Sequence, residues 1–335
     1  MRVLLLLFSL MVATVGSASG PVWPLPGNGP FPEEGLAEHV QPTAAGTTES
    51  ALFGCVRNNG RRFHEAVDLG PQLERKRGRA TDPVRAVHSG RVVHVNRLAG
   101  NSSYGKYLVL EHPSLVPVVY TLYSHLAVIA KELVEGDRVR AGQRLGIMGN
   151  TAGGYRIPLA RAHLHFEVGL RLSDNFQDWY DRQRFGSENH HGNYNGMNLV
   201  GIDPLLYFGA YHRNEAEQPL HVLERFPAAA IVHVAVSRRP DFLRRYPALE
   251  LNGCAESARA GWAIHFTAWG LPVAFRGLPE EQLRGVRGSG EISVVAVDAN
   301  EAGKYACRDL VERTDEGRWR LGDGGRQVME LLFLP

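Results

Sequence analysis

The chain has 335 residues, 37 of them Lys or Arg and 35 Asp or Glu, a formal charge of +2 and only three cysteines. A charge so nearly balanced argues for no nucleic-acid partner. The length exceeds what one ordinary core serves and suits two domains.

In chain order, residues 1–20 open with Arg2, continue as the apolar run Val3–Val12 and end in small residues around Gly16, Ala18 and Gly20. That pattern predicts a secretory signal cut after Ala18 or Gly20, because the apolar stretch is too short to span a bilayer. No later stretch is long and apolar enough to cross a membrane, so none is expected once the signal is removed. The mature chain is then extracytoplasmic. Residues 21–50 carry Pro24, Pro26, Pro30 and Pro32 and read as an extended arm around a fold.

From Ala51 the pattern turns to short β segments. Ala86–Val95 is strand, turn, strand; Tyr107–His112 and Val116–Tyr123 are Val-, Leu- and aromatic-rich. Gly136-Asp137 and Ala141-Gly142 punctuate a return toward Met148. The run Arg161-Ala162-His163-Leu164-His165-Phe166-Glu167-Val168 alternates, placing His163 and His165 on one strand face about 7 Å apart at their Cα atoms. Two imidazoles presented to one spot are a metal-site candidate, but a catalytic zinc wants three protein donors and a water. Partners come from Arg62-Phe63-His64-Glu65-Ala66-Val67-Asp68, whose His64 and Asp68 fall on one side of an extended segment. With one histidine of the pair they make a His-His-Asp set. His125, at the end of the run Tyr107–Tyr123, adds a further imidazole, so two remain for proton transfer.

His-x-x-x-Asp, then Tyr-x-His-Leu at Tyr123–Leu126, then His-Leu-His-Phe-Glu-Val resemble, in that order, the lysostaphin/LytM-type zinc endopeptidases that cut peptidoglycan peptides. The resemblance extends through Phe53-Gly54, Asp82–Ala86, Tyr104-Gly105, Gly136-Asp137, Gly142-Gln143 and Gly149-Asn150-Thr151, from about Trp23 to Phe208. It implies an antiparallel β-sheet peptidase domain at 51–210 with its zinc site in a groove. It also implies one Zn2+ on His64, Asp68 and His165, with His125 and His163 as catalytic histidines and peptidoglycan peptides as substrate. Ala66 stands where the family usually has glycine, and Cys55-Val56 puts two residues between Gly54 and Arg57 where one is usual. The competing reading is a non-catalytic wall-binding relative.

His88, His94 and His112 lie within strands and read as packed core histidines; of these His112 could also contact the site from behind. The basic cluster Arg75-Lys76-Arg77-Gly78-Arg79 reads as a solvated loop, or as an attractor for an anionic polymer. After the His-Leu-His strand, residues 171–199 form a long insertion with a short helix from Ser173, of the kind that walls a groove. The adjacent His190 and His191 converge poorly on one ion. Residues 215–335 are a second, smaller domain with strands expected at 228–236, 261–269 and 291–297. Tyr305 two before Cys307 is the spacing of a tyrosine corner, so an immunoglobulin-like β-sandwich is expected, with a Cys254–Cys307 disulfide and Cys55 left over.

Overall fold

The computed structural model describes residues 20–31, 35–286 and 288–333. The expected signal segment lies outside them except for Gly20. Among the described residues no helix is long and apolar enough to cross a membrane.

The N-terminal arm wraps the fold as expected. Its Val22 N–H donates to Val87 O and its Pro24 O accepts from Arg85 N, while Trp23 and Leu25 are buried. A short helix, α1 (Leu36–His39), follows, and Val40 then bridges Leu69. The first half continues as β1 (Gly54–Arg57), β2 (Arg62–His64), β3 (Val67–Leu69), β4 (Pro83–Arg85), β5 (Gly90–Asn96) and β6 (Tyr107–Glu111). Then come β7 (Tyr120–Ser124), β8 (Val128–Ile129), β9 (Arg138–Val139), β10 (Arg144–Ile147), β11 (Leu164–Arg171), α2 (Phe176–Gln183), β12 (Leu199–Ile202) and α3 (Pro204–His212).

A seven-stranded antiparallel sheet runs β12-β11-β7-β6-β5-β9, with β3 paired to β11. The three-stranded sheet β4-β10-β8 covers one of its faces, and the alternation in the sequence decides which. On β6, Leu108 and Leu110 enter the core between the two sheets, where Val84, Ile129 and Leu145 meet them. Tyr107 and Val109 point the other way, with Tyr120 and Leu122 of β7. On β11 the same rule sends Leu164 and Phe166 inward and turns His165 and Glu167 to the opposite face. The register then sets Asp68 and Ser124 directly across from His165.

The C-terminal part is β-rich but is not a sandwich. After α4 (Pro219–Leu223) its elements are β13 (Ala230–Val234), α5 (Asp241–Arg245), β14 (Glu250–Leu251), β15 (Gly261–Phe266), β16 (Pro272–Leu278) and β17 (Ile292–Val297). They are followed by α6 (Ala299–Lys304), β18 (Val311–Arg313), β19 (Trp319–Leu321) and α7 (Asp323–Phe333). One five-stranded sheet, β14-β16-β15-β13-β17, carries a parallel pair at its β14 edge, and the only other sheet here among the described residues is the β18-β19 hairpin. The three expected strands form; the tyrosine corner does not. Asp298 caps α6 by accepting from Asn300 N and Glu301 N, so Tyr305 ends a helix and Cys307 sits in a single helical turn. The amphipathic α7 lays Val328, Met329, Leu331 and Leu332 into a core shared with Val168, Leu170, Val200 and Ile202 of β11 and β12.

That shared core also overturns the expected disulfide. Cys55 on β1 is bonded to Cys307, 252 residues away, and Cys254 is free. The assumption that cysteines pair within one half fails because the 305–308 segment packs on the β1-β2 hairpin, with the Tyr305 and Phe63 rings 6.0 Å apart.

Candidate metal centre and its surroundings

His64 ends β2 and Asp68 lies in the middle of β3, so two short strands rather than one extended segment bring them together. His64 Nδ1 donates to the Leu52 carbonyl at 2.8 Å. A carbonyl only accepts, so Nε2 keeps its lone pair, which lies 3.2 Å from Asp68 Oδ1 and 3.1 Å from His165 Nδ1. His165 Nδ1 is in turn 3.2 Å from Asp68 Oδ1. One donor atom from each of the three residues falls within 4.8 Å of the other two, and all three side chains are buried. They could hold a metal ion.

A metal would take Asp68 as the carboxylate and His165 as the neutral imidazole, and electrostatics favour the first of these. Burial opposes ionisation of Asp68, yet the imidazoles of His163 and His64 and the hydrogen bond from His165 hold it well below the ordinary carboxylate range. Burial also works against charge on His165, but hydrogen bonds to Asp68 and Glu167 push its pKa up to about 9. A metal at Nδ1 would displace that proton.

His163 lies just before β11, bridged to Gly149, and its Nδ1 donates to Arg161 O at 2.8 Å. Its Nε2 is 3.5 Å from Asp68 Oδ2. His125 follows β7 with a left-handed backbone, φ 59°, which costs an L-residue about 1–2 kcal/mol. Neighbouring bonds enforce it: His125 N donates to Tyr104 O at 2.9 Å, and Nδ1 to Thr151 O at 2.7 Å. The turn sets the His125 ring 4.8 Å from that of His163 and 5.7 Å from that of His165. Burial lowers the pKa of both His125 and His163, so each is neutral near pH 7 with Nε2 free to accept a proton. All five residues singled out in the sequence therefore meet in one place.

Residues 62–177, which hold all five, match peptidase family M23. The match covers about a third of the chain. No curated protein matches the chain. Among solved structures, it is similar to the catalytic domain of the antimicrobial peptidase lysostaphin from Staphylococcus simulans, at 22% identity over 45% of this chain and 81% of that one, with a TM-score of 0.28. A zinc-containing peptidase from Vibrio cholerae is 28% identical over 38% of this chain and 35% of that one, TM-score 0.27. Csd3 of Helicobacter pylori is 23% identical over 44% of this chain and 27% of that one, TM-score 0.27. The chain thus spans most of the lysostaphin domain and about a third or less of the other two.

Three residues around the candidate centre were not assigned roles from the sequence. Glu167 is fully buried, accepts from His165 Nε2 at 2.9 Å, and is held by the hydroxyls of Tyr104 at 2.7 Å and Tyr120 at 2.9 Å. Its signal was available: two residues beyond His165 on a strand, it must share that face. Tyr104 reaches it from a loop, for which no periodicity speaks. Arg57 bonds Asp68 Oδ2 and donates to His64 Nε2 at 2.8 Å; its only signal was its place after Phe53-Gly54.

The other histidines stay apart from the centre. His88 bonds the Tyr207 hydroxyl, and His112 bonds Ser89 O and Thr121 Oγ1. His94 packs on Tyr107, His191 bonds Asn101 O, and His190 is exposed. The insertion does wall a groove: α2 forms, and His190, His191 and Asn195 line a cavity beside the centre. In the basic cluster, Arg75 is docked on the carbonyls of Leu159 and Ala160, in the loop that leads into His163.

Proposed function

We propose that the protein is an extracytoplasmic zinc metalloendopeptidase that hydrolyses peptide bonds in peptidoglycan. One observation carries this: His64 Nε2, His165 Nδ1 and the Asp68 carboxylate converge, while the other nitrogen of each imidazole is bonded to a fixed acceptor. Two nitrogens and one oxygen on preset tautomers suit Zn2+ with a position open to water or substrate. When bound, zinc supplies Lewis acidity that makes water a better nucleophile and polarises a scissile carbonyl.

The chain's own groups supply the proton transfers. His125 and His163 are neutral, buried and fixed through Nδ1, so Nε2 of one takes the proton of the attacking water. That proton is passed on to the leaving amine, which returns the ring to its neutral form, while the other ring steadies the developing oxyanion only in the form protonated at Nε2. Glu167 keeps His165 oriented by accepting from its Nε2.

Elemental analysis of the purified protein and the release of new amines from cell walls test the proposal together. About one zinc per chain and rising amines are expected; neither would leave a non-catalytic wall-binding protein. His64→Ala should lose the metal. His125→Ala should keep it and stop turnover, and turnover surviving without His125 would refute its role.

A further inference from the structure

The metal centre opens into a cavity of about 410 Å³, and a second of about 830 Å³ adjoins it. Arg62, Phe63, Glu65, Ser103 and Tyr104 line both, so the two are one continuous cleft. Its far wall belongs to the C-terminal part: Cys307, Arg308, Gln327 and Val328 face the M23 domain there, and the Cys55–Cys307 bond fixes that wall beside the hairpin carrying His64.

The charges along this cleft are unequal. Asp68 is engaged by Arg57 and the imidazoles, Glu65 lies 3.5 Å from Arg308, and the exposed Glu188 faces His190 at 3.9 Å. Arg62 at the junction, its neighbour Arg61 in the larger cavity, and Arg156 and Arg161 in the smaller one have no carboxylate in ion-pair range among the described residues. Guanidinium forks match carboxylates two bonds at a time, and a cleft lined with one sign of charge concentrates the opposite sign.

We propose that the cleft selects a peptide bearing free carboxylates, running from the metal centre into the larger cavity, with Arg62, where the two cavities join, and Arg61, just inside the larger one, gripping a carboxylate. This rests on reading the metal centre as a peptidase site. It narrows the substrate to acidic stem peptides and away from all-glycine bridges, which carry no carboxylate between their ends.

The test separates binding from turnover. Calorimetry on zinc-loaded His125→Ala protein would compare a synthetic cross-linked stem peptide with its fully amidated form and with a glycine-only peptide. The acidic peptide should bind on the order of tenfold tighter or more, as expected for a charge-assisted bidentate contact. Adding Arg61→Ser and Arg62→Ser, both at exposed positions, should remove most of that preference while zinc content stays at one per chain. In the otherwise unaltered protein the same pair should raise KM and leave kcat nearly unchanged. Equal binding of acidic and amidated peptides, tighter binding of the glycine peptide, or a preference that survives the double substitution would overturn the proposal. Selective binding without any hydrolysis would instead sink only the peptidase reading.

Discussion

Each imidazole at the metal centre has one nitrogen committed outward and one turned to the cluster, and the outward partner decides the tautomer. For His64, His125 and His163 that partner is a backbone carbonyl; for His165 it is the Glu167 carboxylate. A carboxylate makes the ring a stronger base than a carbonyl does, so with zinc held as proposed Glu167 would tune it as well as aim His165. Glu167→Gln retains an acceptor but removes the charge. Zinc affinity, measured by competition with a chelator, should fall about 10- to 100-fold, with the fold intact by circular dichroism. Of this cluster, the five side chains that come together were singled out in the sequence because spacing and residue type both pointed to them. Arg57 was not, because an arginine in a strand carries no mark of what it will touch.

At the scale of elements, the centre is built where β3, β7 and β11 meet in register, and a loop supports it. Gly105 adopts φ +65°, and a Cβ there would lie 2.2 Å from Thr151 O, the carbonyl that holds His125 Nδ1. Gly105→Ala should therefore cost about 1–3 kcal/mol in denaturant unfolding and lower kcat more than it changes KM. A second pair of rings lies at the far end of the sheet: His88 before β5 and His112 after β6 are buried with centroids 5.3 Å apart, facing Tyr207 and Tyr211 of α3. Burial, with His112 adding to it, lowers His88 from 6.5 to about 3, and burial lowers His112 to about 4. Both folded values lie below the unfolded one, so below pH 6.5 the unfolded chain binds protons that the folded chain refuses. Stability should be full above about pH 6.5 and fall toward pH 4, with a slope of up to about 1.4 kcal/mol per pH unit for each ring. Urea midpoints across that range check this, and His88→Gln should flatten the fall; a midpoint independent of pH would contradict it.

Across the whole molecule, the apolar cluster that joins β11 and β12 to the C-terminal sheet makes the two halves depend on each other. Trp269 Nε1 donates to Gly201 O at 2.9 Å, and Arg245 donates to the carbonyls of Arg171 and Leu172. The Cys55–Cys307 bond closes a loop of 252 residues across this junction. Loop-closure entropy alone would make its loss cost about 5 kcal/mol, an upper figure for what the protein should lose. Cys307→Ser, or mild reduction, should lower the thermal midpoint, and an unchanged midpoint would show that the shared core suffices alone.

The sequence by itself determined the β character of the chain, the alternation that turns His165 and Glu167 away from the core, and the five polar side chains that come together. These follow from period-two patterning and from residue chemistry, which are local. Only the tertiary structure decided that Cys55 pairs with Cys307, that residues 299–308 coil into helix instead of making a tyrosine corner, and that the C-terminal part walls the cleft. Those outcomes depend on which apolar faces bury against each other across more than two hundred residues of chain, and no local pattern encodes that choice.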